Sequence, residues 1–328
     1  MTVSEPLGKA IFTPRAIFPN YRLPRSYFLG HHAKTIRLMR EMISSIDLIF
    51  EVRDARAPLS TRNAVFESLI MQKPRVVVYS KSDISAIDTK IFEKWHPDGD
   101  YCVVDTGKPS SVKALLRIAK EHCKTRDSYF GLRTMVMGMP NVGKSSLLNT
   151  LRHAGVHRGK AARTGALAGI TRSIPTFVKI LENPDVMVYD TPGVSLPSTI
   201  DSQTMLILSA LGCTNPKLVD HTIQADFILF QLNKINPDAY SMFCPPTNDI
   251  DEFLSAYCSR MGLRVKGGYP DFTGGAAQWV DRWRRGIEGK IAYDDFTNPN
   301  ALVEWEEAYL SRKRFMRGKP VADKFRVT

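Results

Sequence analysis

A segment near the middle of the chain has the residue types and the spacing that bind phosphate groups. Residues 138–145 read GMPNVGKS, which matches G-x-x-x-x-G-K-S, and they stand between an apolar run and a helical stretch. Glycines let backbone N–H groups approach phosphate oxygens, and the following helix directs its positive N-terminus at them. We predict that Lys144 reaches the β- and γ-phosphates of a nucleotide and that the Ser145 hydroxyl ligates Mg²⁺. The other predicted contacts of this P-loop are Asn141, Val142, Gly143 and Ser146.

A second motif closes another apolar run. Asp190-Thr191-Pro192-Gly193 follows VMVY, where the aspartate can hold the water shell of Mg²⁺ and the N–H of Gly193 can contact the γ-phosphate. Between the two motifs, Thr171 is a candidate switch threonine that closes onto Mg²⁺ and the γ-phosphate; the alternative is an ordinary loop threonine. These motifs predict three catalytic positions, Lys144, Thr171 and Gly193, and three Mg²⁺ ligands, Ser145, Thr171 and Asp190.

A third motif precedes the other two in the chain. Ser80-Lys81-Ser82-Asp83 closes the run VVVY and looks like a degraded form of the Asn-Lys-x-Asp loop that reads guanine. The Asp83 carboxylate can accept hydrogen bonds from guanine N1–H and from the exocyclic amine, an arrangement that adenine does not offer. The Lys81 stem would lie along the base. Ser80 stands where asparagine is usual, so we expect a shortened contact to the base edge and to the P-loop.

The order of these motifs is unusual, because the guanine loop of an ordinary GTPase follows the P-loop. If residues 134–190 are placed before residues 46–123, the order becomes strand, P-loop, switch, DxxG and guanine loop. A chance loop at residues 80–83 is the alternative, and it explains no other feature. The sequence therefore predicts a circular permutation.

Strand and helix candidates alternate in the part of the chain that carries the motifs. Apolar runs predict strands at 46–54, 75–80, 101–106, 134–138, 176–181 and 186–190, and helices are predicted at 34–45, 85–95, 110–122 and 144–152. The alternation predicts an α/β fold with a Ras-like, mostly parallel sheet. Beyond about residue 200, helical spacing is interrupted by proline and glycine. The predicted domains are a basic N-terminal segment at 1–30, a permuted GTPase domain at 31–200 and an α-helical domain at 213–328 that is expected to bind RNA.

The charge and the cysteine content of the chain indicate which classes of partner and which compartment are expected. The 45 lysines and arginines exceed the 33 acids, and a net charge of +12 favours a polyanionic partner, either nucleic acid or an anionic membrane surface. Five cysteines without a Cys-x-x-Cys pair argue against a disulfide framework or a zinc site. We expect no transmembrane span, because no apolar run approaches about 18 residues. Residues 1–30 are basic, as in a mitochondrial presequence, although their prolines would break a long amphipathic helix.

In the order of its motifs the sequence resembles the circularly permuted ribosome-assembly GTPases. The resemblance covers roughly residues 20 to 200. Within the family, the sequence looks most like the mitochondrial members. It rests on the P-loop and on Gly30-His31 with Lys34, DARAPLS at 54–60 with Asn63, Lys81-Ser82-Asp83, GITR at 169–172 and DTPG at 190–193.

The resemblance implies a function as well as a fold. It implies GTP and GDP binding with Mg²⁺, GTP hydrolysis, and assembly of the large ribosomal subunit through its rRNA in the mitochondrial matrix, as a monomer that can touch the inner membrane peripherally. It also implies that K⁺ binds near Asn141. A catalytic role is implied for His31, and the alternative is that His31 is an ordinary surface residue. Val194 follows Gly193 where Ras-like enzymes have a water-positioning glutamine, so we expect hydrolysis to be slow without ribosomal stimulation.

Two other functions stay open from the sequence. A free-standing NTP-dependent phosphotransferase would need a substrate lid and an acceptor-activating base, and no candidate for either is found. A peripheral membrane GTPase could place the C-terminal tail on anionic lipid, since residues 311–328 hold seven basic residues against Asp323. The same basic density favours phosphate contacts with RNA.

Overall fold

A computed structural model of the 328-residue chain describes residues 12–24, 30–70, 73–125, 131–157, 177–196, 201–295, 300, 302–305 and 307. The described residues divide into two compact units. The larger consists of Arg22–Leu218 with the chain from Lys290 onward, and the smaller consists of residues up to Tyr21 with Val219–Gly289.

The larger unit is built on a six-stranded sheet. Its strands are β1 (Leu48–Asp54), β2 (Arg75–Ser80), β3 (Tyr101–Val103), β4 (Leu132–Gly138), β5 (Phe177–Glu182) and β6 (Asp185–Asp190). They lie in the order β3-β2-β1-β4-β6-β5, and only the β5–β6 pair is antiparallel. All six predicted runs form strands, and the predicted α/β fold with a mostly parallel sheet is confirmed.

Helices cover this sheet. Those described in the larger unit are α1 (Gly30–Met42), α2 (Ala64–Ile70), α3 (Lys90–Trp95), α4 (Lys113–Thr125), α5 (Lys144–Val156) and α6 (Ser202–Ala210). Every residue of β1 is buried, as expected for a central strand with elements packed on both of its faces. On one face Met39 of α1 and Phe66 of α2 pack with Ile49 and Met137.

One helix is shorter than its sequence predicts. Residues 85–95 were expected to be helical, but α3 begins only at Lys90. The reason is that the preceding residues are held extended by other partners: the Ser85 hydroxyl donates to the Ala55 carbonyl, and the Ala86 N–H donates to the Ile291 carbonyl. Tertiary hydrogen bonds override the helical pattern at this point.

The sheet order brings the three motifs to one edge. β4, β6 and β2 run parallel, and the P-loop, the DxxG turn and the guanine loop follow their carboxyl ends. The carboxyl edge of an open parallel sheet is where such folds bind ligands. The topology agrees with a Ras-like sheet in which β4 is the original first strand.

The smaller unit is helical in its described part. Its helices are α7 (His221–Ile235), α8 (Ile250–Met261) and α9 (Phe272–Arg284). Each is capped by an aspartate side chain that accepts backbone N–H groups of the first turn, namely Asp220, Asp249 and Asp271. Trp279 and Trp283, four residues apart, are both buried, as helical spacing predicts for a core-facing stripe.

An N-terminal segment belongs to this helical unit. The guanidinium of Arg15 pairs at 2.5 Å with the carboxylate of Asp226, which is buried in α7. The Phe18 ring packs edge-on against Phe227 and lies 5.4 Å from Phe230. Part of the predicted segment 1–30 is therefore packed against α7, while residues 1–11 and 25–29 lie outside the described chain.

Besides the N-terminal segment, the compact units differ from the predicted domain ranges in two further places. The chain up to Leu218, including α6, belongs to the larger unit, and so does the chain from Lys290 onward. The second difference has a local cause, because Ile291 pairs with the backbone of Ile84 and Ala86 directly after the guanine loop. Among the residues that the structure describes, none of the helices combines the length and the apolar character that a membrane span requires.

Candidate nucleotide site

The P-loop, residues 138–146, is shaped by glycines with close neighbours. A Cβ on Gly138 would lie 2.4 Å from the carbonyl oxygen of Val52, so only glycine lets the end of β4 approach β1 this closely. Gly143 has φ of 100° and stands at the N-cap of α5. The first N–H groups of α5 therefore face the loop, which is the arrangement that binds phosphate oxygens.

Lys144 is held inside the loop. Its buried Nζ donates a 2.7 Å hydrogen bond to the Met139 carbonyl. Burial lowers the pKa of Lys144 to about 8, and the nearby Asp190 carboxylate opposes this effect. A phosphate oxygen would be a stronger partner for the ammonium group than the neutral carbonyl is, because both partners would be charged.

Ser145 and Asp190 form an oxygen pair beside the loop. The Ser145 side chain hydrogen-bonds to the Asp190 carboxylate, and burial raises the pKa of Asp190 while Lys144 and Ser145 lower it. The Oδ1 atom of Asp190 is buried and has no hydrogen-bond partner among the described residues. A hydroxyl beside an unsatisfied carboxylate oxygen is the hard donor set that Mg²⁺ prefers, so these residues fit the predicted metal.

The turn after Asp190 lies directly on the P-loop. A Cβ on Gly193 would come within 2.6 Å of the N and Cα atoms of Pro140. The Val194 N–H faces the Gly138 carbonyl at 3.4 Å, and the Thr191 hydroxyl donates to the Val136 carbonyl at 2.7 Å. The backbone of this turn is therefore fixed against β4 and the loop that follows it.

Val194 is buried in the core and not at the site. Its side chain is fully buried in the cluster that contains Ile49 and Met137. A side chain with no polar atom that packs into the core cannot orient a water molecule. That unassisted hydrolysis is slow stays a prediction.

The guanine loop also lies on the P-loop. The buried Ser80 hydroxyl is within hydrogen-bond distance of the Val142 carbonyl and, at 3.1 Å, of the Arg53 carbonyl. The shorter side chain therefore still contacts the P-loop, and the expected shortening does not break this link. Lys81 has a left-handed backbone with φ of 59°, and its Nζ reaches the Asn141 carbonyl at 2.6 Å.

The structure brings most of the predicted site residues together. The side chains of Ser80 and Lys81 contact the backbone of residues 142 and 141, and Ser145 contacts Asp190. Ser82 and Asp83 follow in a 3₁₀ turn, Ser82–Ile84, where the Asp83 side chain is exposed and open to a ligand. Thr171 and the side chain of His31 lie outside the described part of the chain. The Asn141 amide donates a 2.7 Å hydrogen bond to the Gly212 carbonyl.

The end of β1 contributes a charged group whose role the sequence did not reveal. Asp54 and Arg56 are both fully buried, with the Arg56 Nε and Nη2 atoms 3.0 and 2.9 Å from the two carboxylate oxygens. The same carboxylate accepts a hydrogen bond from Lys81 at 2.9 Å. Burial alone would raise the pKa of Asp54, but Arg56 and Lys81 hold it well below its usual range. The sequence Asp54-Ala55-Arg56 is part of the motif at 54–60, but a motif does not show that the aspartate contacts Lys81 of the guanine loop.

Comparisons with known proteins find similarity to GTPases, the class of protein that these motifs predict. A family model described as 50S ribosome-binding GTPase matches residues 133–260, which begin at β4. Mitochondrial GTPase 1 of Schizosaccharomyces pombe is 32% identical over 317 residues, which cover 89% of this chain and 96% of that protein. Mitochondrial ribosome-associated GTPase 1 of Xenopus tropicalis is 32% identical over 82% of this chain and 94% of that protein.

Solved structures show the same fold. A GDP-bound YlqF superposes with a TM-score of 0.56 at 20% identity, covering 80% of this chain and 100% of that one. A GNP-bound YlqF from T. maritima superposes with a TM-score of 0.54 at 22% identity, covering 80% of this chain and 97% of that one.

Proposed function

Since the chain belongs to the family of the mitochondrial GTPase 1 proteins and is therefore a GTPase, we propose that it is a GTP-controlled assembly factor for the large subunit of the mitochondrial ribosome. One observation carries the GTP-controlled part: side chains of the guanine loop, at Ser80 and Lys81, contact the backbone of the P-loop at residues 141–142. A guanine nucleotide can then span both loops although they are far apart in the chain.

The proposed binding roles follow from the positions of the side chains. Asp83 accepts the guanine N1–H and amine, and Lys81 lies along the base. The backbone of Val142, Gly143 and Ser146 surrounds the phosphates, and Lys144 neutralises the β- and γ-phosphates. Ser145 and Asp190 would hold Mg²⁺, which would supply positive charge to offset the negative charge of the phosphates.

The proposed hydrolysis is slow in the free protein and stimulated on the ribosome. With Val194 in the core, the chain offers no glutamine at that position to orient the attacking water. Gly193 offers its N–H to the γ-phosphate, and the proposed roles of Thr171 and His31 are to close on the γ-phosphate and to assist the water. K⁺ near Asn141, which the family resemblance implies, would add a further positive charge near the phosphates.

The ribosomal and mitochondrial parts of the proposal rest on relatives and on charge. Relatives at about 30% identity carry the names mitochondrial GTPase 1 and mitochondrial ribosome-associated GTPase 1. The chain has a net charge of +12, and the helical unit exposes Arg260, Arg264 and Lys266 around the end of α8. Such a surface suits the phosphates of rRNA. We propose a monomer in the matrix that can also contact the inner membrane peripherally.

Co-sedimentation with isolated mitochondrial large subunits tests this proposal. In the presence of a non-hydrolysable GTP analogue the purified protein should sediment with the subunit, and with GDP it should remain largely in the supernatant. Binding that ignores the nucleotide would contradict the GTP-controlled part. Sedimentation with anionic vesicles but not with subunits would favour the membrane GTPase, and fast turnover without ribosomes would favour the phosphotransferase.

A further inference from the structure

A buried loop of the larger unit contacts both the guanine loop and the turn after Asp190. Residues 55–63, called the bridging loop below, follow β1, and all of them except Arg62 are buried. Connecting loops usually lie on the surface because buried backbone groups need partners inside the protein. The bridging loop therefore has to be held by specific hydrogen bonds, and these show which elements it contacts.

The last residue of the bridging loop holds the turn after Asp190. The Asn63 side-chain amide donates a 2.7 Å hydrogen bond to the carbonyl of Val194, and its Oδ1 accepts from the Val65 N–H at 3.0 Å. Asn63 is only 1% exposed and Val194 is 0% exposed. Because the Val194 N–H faces the Gly138 carbonyl, the residue after Gly193 is held on both sides, by the P-loop and by Asn63.

The bridging loop is itself fixed, so Asn63 acts from a rigid position. The Asp294 carboxylate accepts the N–H groups of Leu59 and Ser60 at 2.7 and 3.1 Å. The Thr61 hydroxyl donates to the Ala57 carbonyl at 2.6 Å. Directly before the loop, Asp54 at the end of β1 accepts a hydrogen bond from Lys81 of the guanine loop.

We propose that Asn63 is a positioning residue that holds the N–H of Gly193 where the γ-phosphate of GTP is bound, so that it sets the preference for GTP over GDP. The inference rests on the proposed contact between Gly193 and the γ-phosphate. A donor that is already in place costs no ordering when the ligand binds, and GDP has no group at this position. Asn63 therefore affects the affinity for GTP and the rate of hydrolysis but leaves GDP binding unchanged.

The experiment compares three variants. Asn63→Asp has nearly the same shape and keeps the acceptor for Val65, but it loses the donor to Val194 at neutral pH. Asn63→Ala removes both contacts. Asn233→Ala is the matched control, because Asn233 in the helical unit is also buried and donates at 2.8 Å to the Thr247 carbonyl. Affinities for a non-hydrolysable GTP analogue and for GDP are measured with Mg²⁺ on each folded variant, together with kcat and KM.

For both Asn63 variants the ratio of GTP-analogue to GDP affinity should fall about tenfold, the effect of one lost hydrogen bond to a buried carbonyl. In Asn63→Asp the ratio should recover as the pH is lowered to the pKa of the introduced carboxyl, because a protonated carboxyl can donate to Val194. A structural role alone would lower the free energy of unfolding of the Asn63 variants and leave the ratio unchanged. Asn233→Ala should lower the free energy of unfolding and leave the ratio unchanged.

Equal losses of GTP and GDP affinity, or the same change of ratio in Asn233→Ala, would overturn the proposal. The variant Asp190→Asn tests the assigned γ-phosphate site independently of the role proposed for Asn63. If Asp190→Asn also leaves the ratio unchanged, the assigned γ-phosphate site is wrong and both ideas fail. If Asp190→Asn lowers the ratio and the Asn63 variants do not, only the role of Asn63 fails.

Discussion

The guanine loop reaches the P-loop with side chains, whereas the DxxG turn reaches it with its backbone. Ser80 and Lys81 place a hydroxyl and an ammonium group on P-loop carbonyls, and Lys81 is anchored in addition by Asp54. Gly193 instead lies on Pro140 because it has no Cβ, and its neighbour Val194 is held through its own N–H and carbonyl.

This difference separates two properties of the site. Side-chain links can be removed one at a time, so substitutions on the guanine side should change base recognition and stability in graded steps. A backbone link depends on close approach and on the residues that surround it. Substitutions around the DxxG turn should therefore change the response to the γ-phosphate while the base is still recognised.

The largest effect is expected on the guanine side, at Asp54. Asp54→Asn removes the carboxylate that faces both the fully buried Arg56 guanidinium and Lys81. Removing one partner of a buried ion pair costs about 3–5 kcal/mol, so the free energy of unfolding in urea should fall by about that amount. The control is Glu41→Gln, because the Arg37–Glu41 pair is exposed and its loss should cost about 0.5 kcal/mol or less. A loss at Asp54 as small as the control would mean that the buried pair does not anchor this loop.

The next effect concerns base recognition by Asp83. Asp83→Asn should lower GTP affinity about 100-fold, because two hydrogen bonds to a charged acceptor are lost. Affinity for xanthine nucleotides should rise, since the carboxamide offers a donor where guanine needs an acceptor and xanthine supplies one. Competition binding with GTP, XTP and ATP measures both changes. Unchanged GTP binding would show that Asp83 does not read the base.

The matching change on the other side is Gly193→Ala. The new Cβ would meet the Pro140 backbone at 2.6 Å, so the turn has to move away from the P-loop. Overpacking of this kind costs about 1–3 kcal/mol, and we expect a loss of that size in the binding of a GTP analogue but little change for GDP. Competition binding with the two nucleotides measures the difference. Equal weakening of both would contradict the separation of base and γ-phosphate recognition.

The sequence alone was sufficient for the parts of the fold that have a local pattern. Apolar β-branched runs identified the six strands, and the P-loop pattern identified the turn into α5. α7 was missed because residues 224–233 of this helix are all buried, which leaves no polar face to produce a helical period. α2, Ala64–Ile70, was missed because seven residues are too few to show one.

Residues of the proposed site could be predicted from the sequence where a motif indicates the chemistry of the residue. Lys144 and Asp190 stand in motifs whose spacing states their roles. Asp294 could not be found in this way, because it supports the bridging loop from 234 residues away and stands in no motif. The link between Asn63 and Val194 also spans a long stretch of chain, and it depends on a strand order that no local pattern contains.

The smallest expected effect is a pH dependence of nucleotide affinity that arises from Lys144 in the P-loop. Burial lowers the pKa of Lys144 to about 8, and a bound polyphosphate favours the charged ammonium, so the pKa rises in the complex. Well below pH 8 the Lys144 side chain of the free protein already carries the proton. Above pH 8 binding has to take up a proton, so GDP affinity should fall, by at most about tenfold per pH unit.

Titration calorimetry in two buffers of different ionisation enthalpy measures this proton uptake. Near pH 8 about half a proton should be taken up for each GDP bound, because the free lysine is then half protonated at its pKa. Lys144→Arg is the control, since arginine stays charged in this range and any remaining pH dependence belongs to the nucleotide. If wild type and control take up the same number of protons between pH 8 and 9, Lys144 is fully charged before the nucleotide binds. The Met139 carbonyl and Asp190 would then offset its burial without the help of phosphate.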